Sequence, residues 1–210
     1  NPSLKGMGTT VVCMIVKDGI AHIAHVGDSR LYIFRYKRPY YVTKDHSLVQ
    51  ELVDMGTLTE IEAETDPRKN RISQAIGVGN VDPSVTTQPL YKGDTILLCS
   101  DGLTGEASVK DIWNVLKSND PMAACKKLID LANKNGGKDN ITTIVVEADK
   151  GPKPPFDKKA RQAKQNYNYL SMGIGLGIIL TVVGLIVFNK ISDSNESEDL
   201  DLPLPEIEYT

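Results

Sequence analysis

Along the first 150 residues the apolar positions follow two rhythms. Thr9–Val16 (TTVVCMIV) is a continuous apolar and β-branched run of the kind that forms a buried strand. Lys17-Asp18-Gly19 is a turn, and Ile20–Val26 resumes as a strand. Gly27-Asp28 interrupts it, Arg30–Arg35 continues through LYIF, and Tyr40–Thr43 predicts a further short strand. From His46 the period lengthens. Leu48, Val49, Leu52, Val53 and Met55 fall on one helical face, with Gly56 in the stop position. Thr59 caps a short helix over 59–64. Thr95–Cys99 (TILLC) reads as a buried strand, and Ser108 caps a helix that runs to Leu116. Asp120 with Pro121 opens another helix, Gly136-Gly137 closes it, and Ile141–Val146 is a last strand. This order, with hairpin-like connections, predicts an α+β sandwich of mainly antiparallel strands.

The pattern then changes. Residues 169–188, YLSMGIGLGIILTVVGLIVF, carry no charge and are long enough to cross a hydrocarbon core of about 30 Å as a helix. Four segments follow: a domain over 1–148, a basic Pro-containing linker over 149–168, a single transmembrane helix over 169–188, and an acidic disordered tail over 189–210. The formal net charge of −3 resolves into about −1 for residues 1–150, +4 for 151–168 and −6 for 189–210. The basic flank precedes the span, so the positive-inside rule puts the domain in the cytoplasm and the tail outside a single-pass cell membrane. Gly173 and Gly177 make a GxxxG step that permits a helix-mediated dimer. The near-neutral first block excludes nucleic acid held by charge. Cys13, Cys99 and Cys125 lie far apart in apolar contexts, which predicts buried, reduced thiols.

Three carboxylates share one setting. Asp28 follows the strand IAHV, Asp101 follows TILLCS, and Asp139 precedes ITTIVV, each where an apolar strand meets a glycine-containing turn. Such turns bring backbone close to a ligand, and strand ends hold side chains in fixed positions. Carboxylates without nearby Cys or His favour Mg²⁺ or Mn²⁺ over zinc. Taken singly, each of these turns also reads as nothing more than a turn.

Four motifs stand in order: Gly6-Met7-Gly8-Thr9-Thr10, Gly27-Asp28-Ser29-Arg30, Ser100-Asp101-Gly102-Leu103-Thr104 and Gly137-Lys138-Asp139-Asn140-Ile141-Thr142. With Lys44-Asp45-His46-Ser47-Leu48-Val49 and Arg71–Gly77 (RISQAIG), they resemble the metal-dependent protein phosphatases of the 2C type over roughly residues 5–148. The bacterial branch, with a linker and one membrane helix after the domain, is the most similar. The resemblance implies a β-sandwich flanked by helices, and a serine/threonine phosphoprotein phosphatase in which a water bridging two Mn²⁺ or Mg²⁺ ions attacks a phosphoserine or phosphothreonine monoester. It implies Asp101 and Asp139 as ligands of the binuclear centre, with Asp28 holding a third ion shared with Asp101. It also implies close backbone approach at Gly102 and Gly137, Asn140 steadying Asp139, and a flap over about 46–76. The implied partners are phosphorylated proteins, a serine/threonine kinase among them, and membrane lipid through one helix.

The chain departs from that pattern in two places. The family's front part, with a phosphate-gripping Arg and an Asp-Gly motif that bridges both metals, has no counterpart here. The expectation is a C-terminal part that is inactive alone, with the Arg upstream of Asn1. Asp66-Pro67 stands where the family often has His-Pro. Of the other polar residues, Arg30 reads as a structural ion pair rather than a phosphate grip, and Trp113 reads as core. His22 and His25, three apart on a strand, point to opposite faces, and His46 caps or begins a helix. Competing readings are a non-catalytic phosphatase-like module that binds phosphoproteins or scaffolds a membrane complex, and an adhesion or sensor protein acting through the acidic tail.

Overall fold

The computed structural model describes residues 5–155, which lie within one compact unit, Asn1–Pro155. The 169–188 span and the acidic tail fall outside the described residues. Among the described residues no helix is long and apolar enough to cross a membrane.

Seven strands and five helices follow in the order β1 (Val11–Lys17), β2 (Ile20–Val26), β3 (Arg30–Arg35), β4 (Arg38–Val42), α1 (Leu48–Asp54), α2 (Glu60–Thr65), β5 (Ser84–Pro89), β6 (Thr95–Cys99), α3 (Asp101–Thr104), α4 (Val109–Leu116), α5 (Pro121–Asn135) and β7 (Thr143–Glu147). They form a three-stranded sheet, β1-β2-β5, and a four-stranded sheet, β4-β3-β6-β7. Every pairing within the two sheets is antiparallel. The β1–β2 hairpin turns on Asp18-Gly19, both at positive φ, the backbone a two-residue hairpin needs to follow the strand twist.

The alternation of side chains along a strand builds two cores. Leu31 and Ile33 of β3, with Ile96 and Leu98 of β6, pack toward Ala21 and Ile23 of the first sheet. Tyr32, Phe34, Leu97 and Cys99 point the other way, onto Ile112 and Leu116 of α4 and Leu128 of α5. The second sheet is thus covered on both faces, which is why TILLC has no polar face. Burying each of these large side chains is worth roughly 1.5–3 kcal/mol. The outer face of the first sheet is open among the described residues: Ile15 is 70% exposed and Val85 73%.

Three local differences from the sequence reading have physical reasons. β5 is not among the expected strands, since Pro83 and Pro89 bracket a polar SVTTQ; it stands at the edge of the first sheet, where such residues are tolerated. Of the three cysteines only Cys99 is buried, with burial pushing its thiol up to about 12; Cys13 is exposed on the open face and Cys125 is half-buried. Met55 lies just past α1 and is exposed, leaving Val49 as the buried residue of that helix. Trp113 is half-buried and stacks on Phe34 at 5.4 Å. The first part of the predicted linker packs on the domain: Lys92 N–H donates to the Pro152 carbonyl at 2.9 Å, and the Tyr36 hydroxyl donates to the Pro155 carbonyl.

Candidate metal centre

The strand register brings the three aspartate loops to one end of the second sheet. Arg30 pairs with Cys99, and Cys99 pairs with Thr143. Asp28 therefore leaves the sheet just before β3, Asp101 just after β6 and Asp139 shortly before β7. The last two loops are locked together. Ser100 N–H donates to the Thr142 carbonyl at 3.1 Å, Thr142 N–H to Ser100 Oγ at 3.0 Å, and Ser100 Oγ to the Asn140 carbonyl at 3.1 Å. Gly102 makes this approach feasible: a Cβ there would lie 2.4 Å from the Asn140 carbonyl oxygen. Asn140 meets Asp139 through its backbone, whose N–H donates to Asp139 Oδ1 at 2.7 Å. The GGKD turn is tied down by Glu106, which pairs with Lys138 at 3.4 Å and whose carbonyl accepts from Asn135 Nδ2 at 2.7 Å.

Asp28 is half-buried, while Asp101 and Asp139 are exposed. Burial and then the neighbouring Asp101 carboxylate raise the Asp28 carboxyl above its ordinary 3.8. Two like charges held together on a half-buried strand end are a cost that a cation removes. The donors are carboxylate oxygens with no thiolate among them, which suits Mg²⁺ or Mn²⁺, ions that keep several waters and take one or two carboxylates. Among the described residues, no three Asp, Glu, His or Cys side chains form one cage. Asp28 and Asp101 come together as a pair, and Asp139 stands on the loop clasped against Gly102.

The structure adds residues that sequence reading left without a role. Asp45, within the KDHS segment, takes the Arg30 guanidinium in a two-point grip, 2.8 Å from Nε and 2.7 Å from Nη2. Arg30 is thus a structural ion pair, as its sequence context indicates, and its Nη1 also donates to the Tyr32 hydroxyl at 3.0 Å. Thr10 Oγ1 and Ser29 Oγ share a hydrogen bond of 2.9 Å. Thr10 also lines a cavity of about 370 Å³ between residues 6–10 and 72–78. Gly27 fits against Thr10 only without a side chain: its φ is +101°, and a Cβ would lie 2.3 Å from Thr10 Cγ2. The Asp45–Arg30, Thr10–Gly27 and Thr10–Ser29 partnerships have no short-range signal, because the partners are 15 to 19 residues apart.

Residues 3–52 match the Protein phosphatase 2C family. The protein phosphatase PhpP of Streptococcus pneumoniae is 43% identical over 144 residues, 68% of this chain and 58% of that protein. The chain belongs to the protein phosphatase 2C family. The crystal structure of the Mycobacterium tuberculosis serine/threonine phosphatase PstP superposes with a TM-score of 0.68 at 36% identity, over 71% of this chain and 63% of that one. A structure of the PstP catalytic domain in complex with two manganese ions superposes with a TM-score of 0.62 at 36% identity, over 70% and 61% of the two chains. The chain thus spans less than two thirds of the length of these relatives.

Where protein phosphatase 2C members often have His-Pro, Asp66 caps the C-terminal end of α2. It grips Arg68 through Nε at 2.9 Å and Nη2 at 2.8 Å, and Arg68 holds its carboxyl down to about 2. This position is a local clasp and carries no imidazole.

The Asp28 environment has a consequence for stability. A carboxyl whose folded pKa is raised stabilises the fold below its unfolded value and loses that contribution as pH rises through the folded value. At pH 7 the metal-free domain therefore carries the cost of a half-buried Asp28 carboxylate with the Asp101 charge beside it. Asp28→Asn is expected to raise the metal-free Tm by about 2–4 °C at pH 7. That advantage should vanish near pH 4, and the rise in Tm caused by Mn²⁺ should shrink. Thermal melts at both pH values, with and without Mn²⁺, check it; a lower metal-free Tm at pH 7 contradicts the repulsion.

Proposed function

We propose that this chain supplies carboxylate ligands to the metal centre of a metal-dependent serine/threonine phosphoprotein phosphatase. The reaction is hydrolysis of phosphoserine and phosphothreonine monoesters. The observation that carries this reading is the strand register that brings the Asp28, Asp101 and Asp139 loops to one end of the second sheet, the last two clasped together. When bound, paired Mn²⁺ or Mg²⁺ ions supply hydroxide from water near neutral pH and take up charge on the leaving oxygen.

The residues divide that work. Asp101 and Asp139 hold the cation pair, and their separation is set by the Ser100–Thr142 and Gly102–Asn140 contacts. Asp28 adds a further carboxylate next to Asp101. Arg30 is committed to Asp45, so phosphate is gripped by a group other than Arg30. The cavity beside Thr10 has room for residues that flank the phosphorylated side chain.

The protein that carries this chain is expected to release phosphate from a phosphothreonine peptide with Mn²⁺ and to stop when EDTA removes the ion. Release that persists in EDTA overturns the reading. We further propose a single-pass membrane protein with this domain on the cytoplasmic side. The support is the uncharged 169–188 segment between a basic and an acidic flank. Protease added to intact cells should then remove the tail and spare the domain; the reverse pattern would invert the topology.

A further inference from the structure

Two consecutive residues, Asp45 and His46, bracket the Asp28 loop. Asp45 holds Arg30, two residues after Asp28. His46 holds Gly27, the residue before it, at two points. The His46 backbone N–H donates to the Gly27 carbonyl at 2.9 Å, and the Gly27 N–H donates to His46 Nδ1 at 3.3 Å. Because Nδ1 accepts, the ring proton sits on Nε2, where it donates to Ser84 Oγ at 2.8 Å. The His25 ring stacks on His46 at 4.7 Å and leaves it little room to turn. His25 is itself fixed by a 2.7 Å bond from Nε2 to the Lys44 carbonyl. Burial and the neighbouring His25 lower the His46 pKa, which agrees with a neutral, accepting Nδ1.

The same residue reaches the segment after the α1–α2 pair. Ser73 N–H donates to the His46 carbonyl at 2.8 Å, and Ser47 bridges to Ile72. His46 therefore joins the Asp28 loop to the wall of the 370 Å³ cavity, where Ile72 and Ser73 stand. Gly27 is held at a φ of +101°, so a turn of its peptide re-aims the carboxylate that follows. We propose that His46 is a positioning residue, which aims the Asp28 carboxylate at its cation by clamping Gly27 through Nδ1 and the backbone. This rests on the reading of Asp28 as a metal ligand. A group that orients a metal ligand typically contributes about 10–100-fold in metal affinity.

The experiment compares His46→Gln, His46→Asn and Asp28→Asn in the full chain. The asparagine Oδ1 falls near the place of Nδ1 and can accept from Gly27, whereas glutamine extends its acceptor toward Ser84 and leaves Gly27 without one. Two readouts are taken: hydrogen exchange of the Gly27 amide, and Mn²⁺ affinity by titration with Mn²⁺ alone. In His46→Gln the Gly27 amide should exchange faster and Mn²⁺ affinity should fall about 10-fold or more. His46→Asn should restore both. If His46→Gln does not fold, His46→Ala, which removes the Gly27 acceptor and keeps the backbone bond, is read in its place; unchanged readouts there overturn the proposal. Loss of affinity in Asp28→Asn with none in His46→Gln, or no rescue by asparagine, overturns the positioning role alone. Unchanged affinity in Asp28→Asn overturns the ligand reading and, with it, what His46 is said to aim.

Discussion

Asp101→Asn is expected to lower Mn²⁺-dependent hydrolysis of a phosphothreonine peptide by at least about 100-fold in kcat/KM, or about 2.7 kcal/mol of transition-state stabilisation. Asparagine keeps the size and helical start of Asp101 but brings a neutral amide to a place that holds a cation only with charge. Asp101 is exposed, and the lock between its loop and that of Asp139 runs through Ser100, Thr142, Gly102 and Asn140. The substitution should therefore leave the fold intact and, by removing the charge beside Asp28, raise the metal-free Tm at pH 7 in the same direction as Asp28→Asn. Asp139→Asn should lower hydrolysis alike and keep its turn, since the asparagine side-chain oxygen can still accept from the Asn140 N–H. Steady-state phosphate release by the full-length protein checks both, and activity equal to the parent in either variant would remove that residue from the ligand set.

The largest effect on stability belongs to the far end of the same two strands. Arg35 closes β3 and Asp94 precedes β6, and their side chains are 2% and 1% exposed. Arg35 Nε and Nη2 donate to Asp94 at 2.8 and 2.7 Å, and Nη2 donates also to the Pro89 carbonyl at 2.8 Å. Asp94 accepts from the Tyr91 N–H at 2.9 Å. The guanidinium lies 4.0 Å from the Tyr40 ring centre and 4.4 Å from that of Tyr91. Asp94→Ala strands a buried cation, so urea denaturation should show a loss of about 3–5 kcal/mol. Replacing both partners by apolar residues should recover much of it, because the stranded charge is gone. A loss under about 1 kcal/mol for Asp94→Ala would mean that water reaches Arg35.

The elements that sequence reading located are those whose causes are local. β2 and β3 run over the predicted residues because glycine and β-branched runs punctuate them. The cap at Ser108 and the Asp120-Pro121 start of α5 hold because a cap is a bond between neighbours: Ser108 Oγ accepts from the Asp111 N–H and Asp120 from the Ala123 N–H. The fates of Cys13 and Met55 were not legible: Cys13 lies in a run that is apolar on both faces, where only packing chooses the buried one, and Met55 falls just past the end of α1. β5 was hidden because its sequence suits a loop as well as a sheet edge.

The same division runs through the metal centre. By itself the sequence determined that Asp28, Asp101 and Asp139 sit at strand ends beside glycines, since strand period and turn chemistry act over a few residues. It also determined the uncharged 169–188 segment and the charges on either side of it. Only the tertiary structure decided that Asp101 crowds Asp28, that Asp45 takes Arg30, that His46 clamps Gly27 and that Gly102 lies against Asn140. Each of these joins residues at least 15 apart, and two sheets and three loops must be in place before either partner is within reach of the other.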